Sequence, residues 1–153
     1  MKSSTAWFLQ GIVLIVGIGV LGLMLWEPHL EGRNARATVF EIYFKDPFLA
    51  YAYLGSLPFF MALRRAFGLL GRARRTGTFS QATLDDLRAI KRCAIAVIGF
   101  AMGGMAFIAG FGDGDDRPAG LFMGLLVVLA ATLIATTAAL WARRLRHALT
   151  RVA

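Results

Sequence analysis

The chain has 153 residues, of which 58% are hydrophobic, with a formal net charge of +8 and a mean hydropathy of +0.63. Soluble globular domains are about 45–50% apolar, so a surplus gathered in long runs faces lipid and not a protein core. The single cysteine, Cys93, excludes an intrachain disulfide, and the two histidines, His29 and His147, lie too far apart in sequence to suggest a metal cage.

A membrane-crossing helix needs ~20 apolar residues to cover ~30 Å of hydrocarbon at ~1.5 Å per residue. The first such segment is 7–26, uncharged, with Trp7 and Trp26 placed for the two interfacial belts. Its twelve Leu, Ile, Val and Phe residues outweigh Gln10 and four glycines. A cleaved leader has a shorter apolar region, of about 7–15 residues, so this segment is expected to remain as a span. An outer loop, 27–46, follows.

The second span is short, 47–66, with Arg64 and Arg65 snorkelling at its end. Pro58 inside it removes one backbone donor and frees the carbonyl of Leu54, which predicts a kink and makes Pro58 a candidate hinge. The third span is 93–112 and the fourth 119–142. The third helix is expected to start earlier. No Gly or Pro interrupts 80–98, Thr78-Phe79-Ser80-Gln81 fits a capping box with Ser80 as rival N-cap, and Asp85 and Asp86 sit early in the helix, where its dipole favours acids. The second helix is expected to continue to Gly71 or Gly77, so that residues 64–92 form a helical hairpin projecting into the cytoplasm.

Thirteen of the seventeen Lys and Arg residues fall on one side of these spans: Lys2, those from Arg64 to Arg92, and the tail from Arg143 to Arg151. Short loops obey the positive-inside rule, which predicts both termini in the cytoplasm. The expected architecture is an all-α integral membrane four-helix bundle, N-in and C-in, forming one domain over 1–153 in the bacterial cytoplasmic membrane. Small residues recur at i, i+4 in Gly99–Gly103, Ala106–Gly110 and Gly120–Gly124, which permits close helix approach within one bundle or across a homodimer.

No catalytic, cofactor or metal constellation emerges. Gly110-Phe111-Gly112-Asp113 has the G-x-G-D form of intramembrane aspartyl proteases, but that chemistry needs a second carboxylate and no span supplies one. Asp113, Asp115 and Asp116 lack the spacing and further oxygen ligands of a calcium loop. Cys93 beside Lys91 and Arg92 has a basic setting but no histidine near it in sequence. No span carries an ionisable residue at its centre, which argues against a proton-coupled transporter. A small transporter or channel subunit lined by Gln10, Ser56, Thr132, Thr136 and Thr137 is the alternative function. The leading candidate is the basic face of Arg72, Arg74, Arg75, Arg88, Lys91 and Arg92, suited to anionic headgroups or an acidic cytoplasmic partner. Leu84 and Leu87 mark a separate apolar stripe. No aromatic stacking platform or DNA-reading fold accompanies the charge, so direct nucleic-acid binding is not expected.

The order of several short patterns resembles a family of small bacterial membrane proteins, domain of unknown function 2975. They are Leu57-Pro58-Phe59-Phe60-Met61-Ala62-Leu63, Phe79-Ser80, Ile90-Lys91-Arg92-Cys93-Ala94, the acidic turn before the last span, and the basic end after Trp141. The resemblance covers nearly the whole chain and is weakest before Tyr51. It implies four spans, no assigned activity, and a gene often beside a small helix-turn-helix regulator. The chain departs from that pattern in being richer in arginine and alanine. The expected function is a non-enzymatic module that binds or restrains such a regulator.

Overall fold

The computed structural model describes residues 3–26, 38, 47–76, 80–112 and 117–150. These hold four helices, α1 Ser3–Trp26, α2 Pro47–Thr76, α3 Gln81–Phe111 and α4 Arg117–Thr150, and no strand occurs among the described residues. Apart from Thr38, the 27–46 loop lies outside them, as do Thr78, Phe79 and Asp113, Asp115 and Asp116.

Helices 4–26, 81–111 and 117–150 are each long and apolar enough to cross a membrane. The α2 helix falls short of that threshold. Its apolar stretch ends at Arg64 and Arg65 and is diluted by Tyr51, Tyr53, Ser56 and Pro58. It nonetheless runs unbroken through Pro58 to Thr76. At the start of α3, Ser80 is the N-cap, in extended conformation at φ −121°, and its amide donates to Thr83 Oγ1 at 3.5 Å. Thr83 thus takes the place that Glu or Gln holds in most capping boxes. At the far end, Arg117 Nε and Nη2 donate to the Gly112 carbonyl at 3.0 and 2.8 Å, tying the first residue of α4 to the C-cap of α3.

Each helix packs on its chain neighbour, most extensively α3 on α4 and least α1 on α2. All three pairings are antiparallel. Trp7 meets Arg74, while Met24 lies at the other end, beside Tyr53. Phe48 stacks on Phe107, while Arg65 and Arg72 reach Asp86. Gly120 faces Ile108, and Gly124 faces Met105. The starts of α1 and α3 and the ends of α2 and α4 therefore share one end of the molecule.

The core is thin and made of small side chains. Ala6, Ala94, Ala131, Ala135 and Ala138 are buried with Leu84 and Ile90, while most Leu, Ile, Val and Phe residues point outward. Ala131, Ala135 and Ala138 recur at i, i+4, i+7, one face of α4, and let α3 approach closely. A Cβ on Gly55 would lie 3.1 Å from three Phe100 carbons, so glycine there sets the α2–α3 spacing. The outward apolar surface suits lipid, which supplies the dispersion contacts that water would not.

Candidate functional site

The α2 helix presents Arg65 and Arg72 at i, i+7, the same face two turns apart. Opposite them, α3 buries Thr83, Leu84, Asp86, Ile90 and Ala94. Asp86 is a carboxylate on an otherwise inward-facing stripe, only 4% exposed. Arg65 Nη1 donates to its Oδ1 at 3.2 Å, and Arg72 Nη2 pairs with its Oδ2. Each carboxylate oxygen therefore has its own guanidinium. A buried charge requires such pairing to be tolerated. The cluster staples the end of α2 to the beginning of α3 and carries one net positive charge.

The level of this cluster along α1 follows from the α1–α2 register. The Trp7 ring lies under the Arg74 guanidinium at 4.0 Å, Gln10 Nε2 donates to the Phe67 carbonyl at 3.2 Å, and Tyr53 donates to the Met24 carbonyl at 2.6 Å. A Cβ on Gly17 would sit 3.3 Å from Leu63. Arg64 and Arg65 thus stand level with the middle of α1, not beyond its end. The first half of α1, apolar and outward-facing at Trp7, Phe8, Ile12, Leu14 and Ile15, runs alongside the charged part of α2. From the sequence, the hairpin starts where the spans stop; in the structure, α1 flanks it.

The six basic candidates divide into two groups. Arg72 is held by Asp86, Arg74 by the Trp7 ring, and Arg88 by Asp85 at 3.4 Å. Arg75, Lys91 and Arg92 are exposed, and no ion pair to them occurs among the described residues. The small-residue candidates divide as well. A Cβ on Gly103 would run into the Tyr51 hydroxyl, one on Gly120 would lie 3.0 Å from Ile108, and one on Gly124 would lie 2.7 Å from Met105 Sδ, whereas Gly99 has open space. Three of the four thus serve contacts within the chain.

The polar residues considered for a pore do not converge. Gln10 is 6% exposed and bonded to Phe67, and Ser56 donates to the Tyr53 carbonyl at 2.7 Å. Thr132 and Thr136 donate to carbonyls of their own helix from its exposed side, where Thr137 also lies. Cys93 is half-buried, and no group of three His, Cys, Asp or Glu side chains occurs among the described residues.

Sequence reasoning missed Asp86. The helix dipole accounts equally well for Asp85 and Asp86, but their positions relative to the inward stripe differ. Asp86 sits at i−4 and i−8 from Ile90 and Ala94, on the stripe, while Asp85 points to solvent. A carboxylate in register with apolar positions, facing two arginines seven residues apart, is the signal.

Residues 34–151 match the family described as protein of unknown function (DUF2975), and the chain belongs to that family. It is similar to the uncharacterized membrane protein YoaS of Bacillus subtilis (strain 168), at 29% identity over 150 residues, covering 97% of this chain and 94% of the relative. No solved structure matches. Together with three helices of spanning length, the similarity identifies a membrane protein of uncharacterised function.

Proposed function

We propose that this family member is a non-enzymatic multi-pass module that docks an acidic cytoplasmic protein, such as a small helix-turn-helix regulator, on one basic end. The chain forms a four-helix bundle in the bacterial cytoplasmic membrane, N-in and C-in, with α2 as the fourth span. Thirteen of seventeen basic residues on one side of the spans support that orientation. The observation that carries the docking reading is the sorting of the arginines. Those that hold the fold are paired, while Arg75 stands exposed at the end that Arg143, Arg144 and Arg146 also reach, and Lys91 and Arg92 stand exposed further along α3. Charges of one sign gathered at one end steer an oppositely charged partner and anionic headgroups alike.

The test is crosslinking in intact cells, with a parallel variant carrying Arg75→Gln, Lys91→Gln and Arg92→Gln. Arg64, Arg65, Arg72 and Arg74 stay native, so topology and packing are retained. An acidic protein crosslinked to the native chain and absent from the variant is the expected result. Equal recovery from both, with both inserted equally, rules the docking surface out.

A further inference from the structure

On the opposite face of α2 from Asp86, a groove of about 380 Å³ runs between α1 and α2. Its walls are apolar, Val13, Gly17 and Leu21 on α1 and Phe60 and Leu63 on α2, and its one charged lining residue is Arg64. From Val13 to Leu21 it extends ~12 Å at the helical rise. Gly17 supplies the depth, because any side chain there meets Leu63. Arg64 is exposed and pairs with no acid among the described residues, unlike Arg65, one residue on, which turns to Asp86.

We propose that this groove binds one anionic phospholipid, with its phosphate on Arg64 and an acyl chain along the α1–α2 seam. Two independent features select that occupant. An apolar channel open along its side accepts a hydrocarbon chain, and a guanidinium in its wall matches a phosphate in charge and in paired-donor geometry. The register supplies the third. Arg64 stands level with the middle of the apolar α1, where a lone cation is costly and draws headgroups inward. A phospholipid seated in the groove neutralises Arg64 at that level and covers the least extensive of the three contacts between chain-neighbour helices. Zwitterionic lipid carries its own ammonium and leaves the charge of Arg64 uncompensated. The site is independent of partner docking, since it uses none of Arg75, Lys91 and Arg92.

The full chain, stripped of lipid in nonionic detergent and titrated with dioleoyl phosphatidylglycerol, is to be followed by native mass spectrometry. One lipid is expected to be retained, and dioleoyl phosphatidylcholine to bind more weakly. Arg64→Gln is expected to weaken retention about tenfold or more, the scale of a lost charge-assisted bond. Arg64→Lys is expected to keep most of it. Ile18→Trp, which fills the groove from an exposed position (70%), is expected to weaken it with Arg64 intact. Arg75→Gln is expected to change it less than about twofold, as a charge outside the groove should. Equal retention by Arg64→Gln, equal loss in Arg75→Gln, equal binding of phosphatidylcholine, or displacement by inorganic phosphate alone would each overturn the site. Far-UV circular dichroism of every variant separates lost binding from lost fold. If Arg64→Gln fails to fold, the contrast between Arg64→Lys and Ile18→Trp decides the matter.

Discussion

Replacing Asp86 by Asn removes the charge that Arg65 and Arg72 share while keeping its size. At the 3.2 Å between Arg65 Nη1 and Oδ1, the gross Coulomb attraction is ~1.3 kcal/mol in water and ~5 kcal/mol at an effective dielectric of ~20. The carboxylate is buried, but the Arg65 and Arg72 side chains remain 56% and 45% exposed, so solvent screens much of that gain. Each pair is therefore assigned ~0.5–1.5 kcal/mol, between an exposed and a buried ion pair, and the variant is expected to lose about 1–3 kcal/mol. The assay is reversible unfolding in mixed micelles followed by far-UV circular dichroism. The same change made in an Arg65→Gln, Arg72→Gln background completes the cycle. The cost of Asp86→Asn should fall by at least half there, because the arginines are what it serves. An unchanged cost in the two backgrounds, or a loss below ~0.3 kcal/mol in the native one, would refute the staple.

Three further outcomes are expected. Gly55→Ala should destabilise by about 1–3 kcal/mol through overpacking on Phe100, while Gly99→Ala, which meets nothing within 4 Å, should be neutral or stabilise by up to ~1 kcal/mol, both read from the same unfolding curves. Tyr53→Phe should cost about 0.5–1.5 kcal/mol, because its hydroxyl serves Met24, one of the last four carbonyls of α1, which have no partner within the helix. Hydrogen exchange at the end of α1 should rise with it. Trp7→Leu should cost about 0.5–1 kcal/mol, and Arg74→Gln should cost less in a Trp7→Leu background than alone, since the ring and the guanidinium act as a pair.

The candidate site was only half legible in the sequence. Arg72, Arg74, Arg75, Arg88, Lys91 and Arg92 stand out as a basic cluster from charge alone, but charge does not say which of them are spent on the fold. That depends on what lies opposite: Asp86 for Arg72, Trp7 for Arg74 and Asp85 for Arg88. Arg64 and Arg65 look alike as a snorkelling pair. On a helix, adjacent residues point about 100° apart, and with α1 on one side and α3 on the other the two arginines face different neighbours. The glycines behave likewise. Their spacing promises close approach, but only the register shows that Gly103, Gly120 and Gly124 are used within the chain while Gly99 faces open space.

What the sequence by itself determined is the all-helical character, the placement of the helices on long apolar runs, and the membrane as their solvent. These are local properties. Backbone hydrogen bonds close within each segment, and the free energy of transfer to lipid adds residue by residue. Only the tertiary structure decided which parts of the neighbouring helices the charges stand level with. Antiparallel packing slides α1 along α2 until Gln10 meets Phe67 and Tyr53 meets Met24, which sets Arg64 and Arg65 level with the apolar middle of α1. Helix register is set by side-chain fit between helices, a pairwise property that no single segment carries.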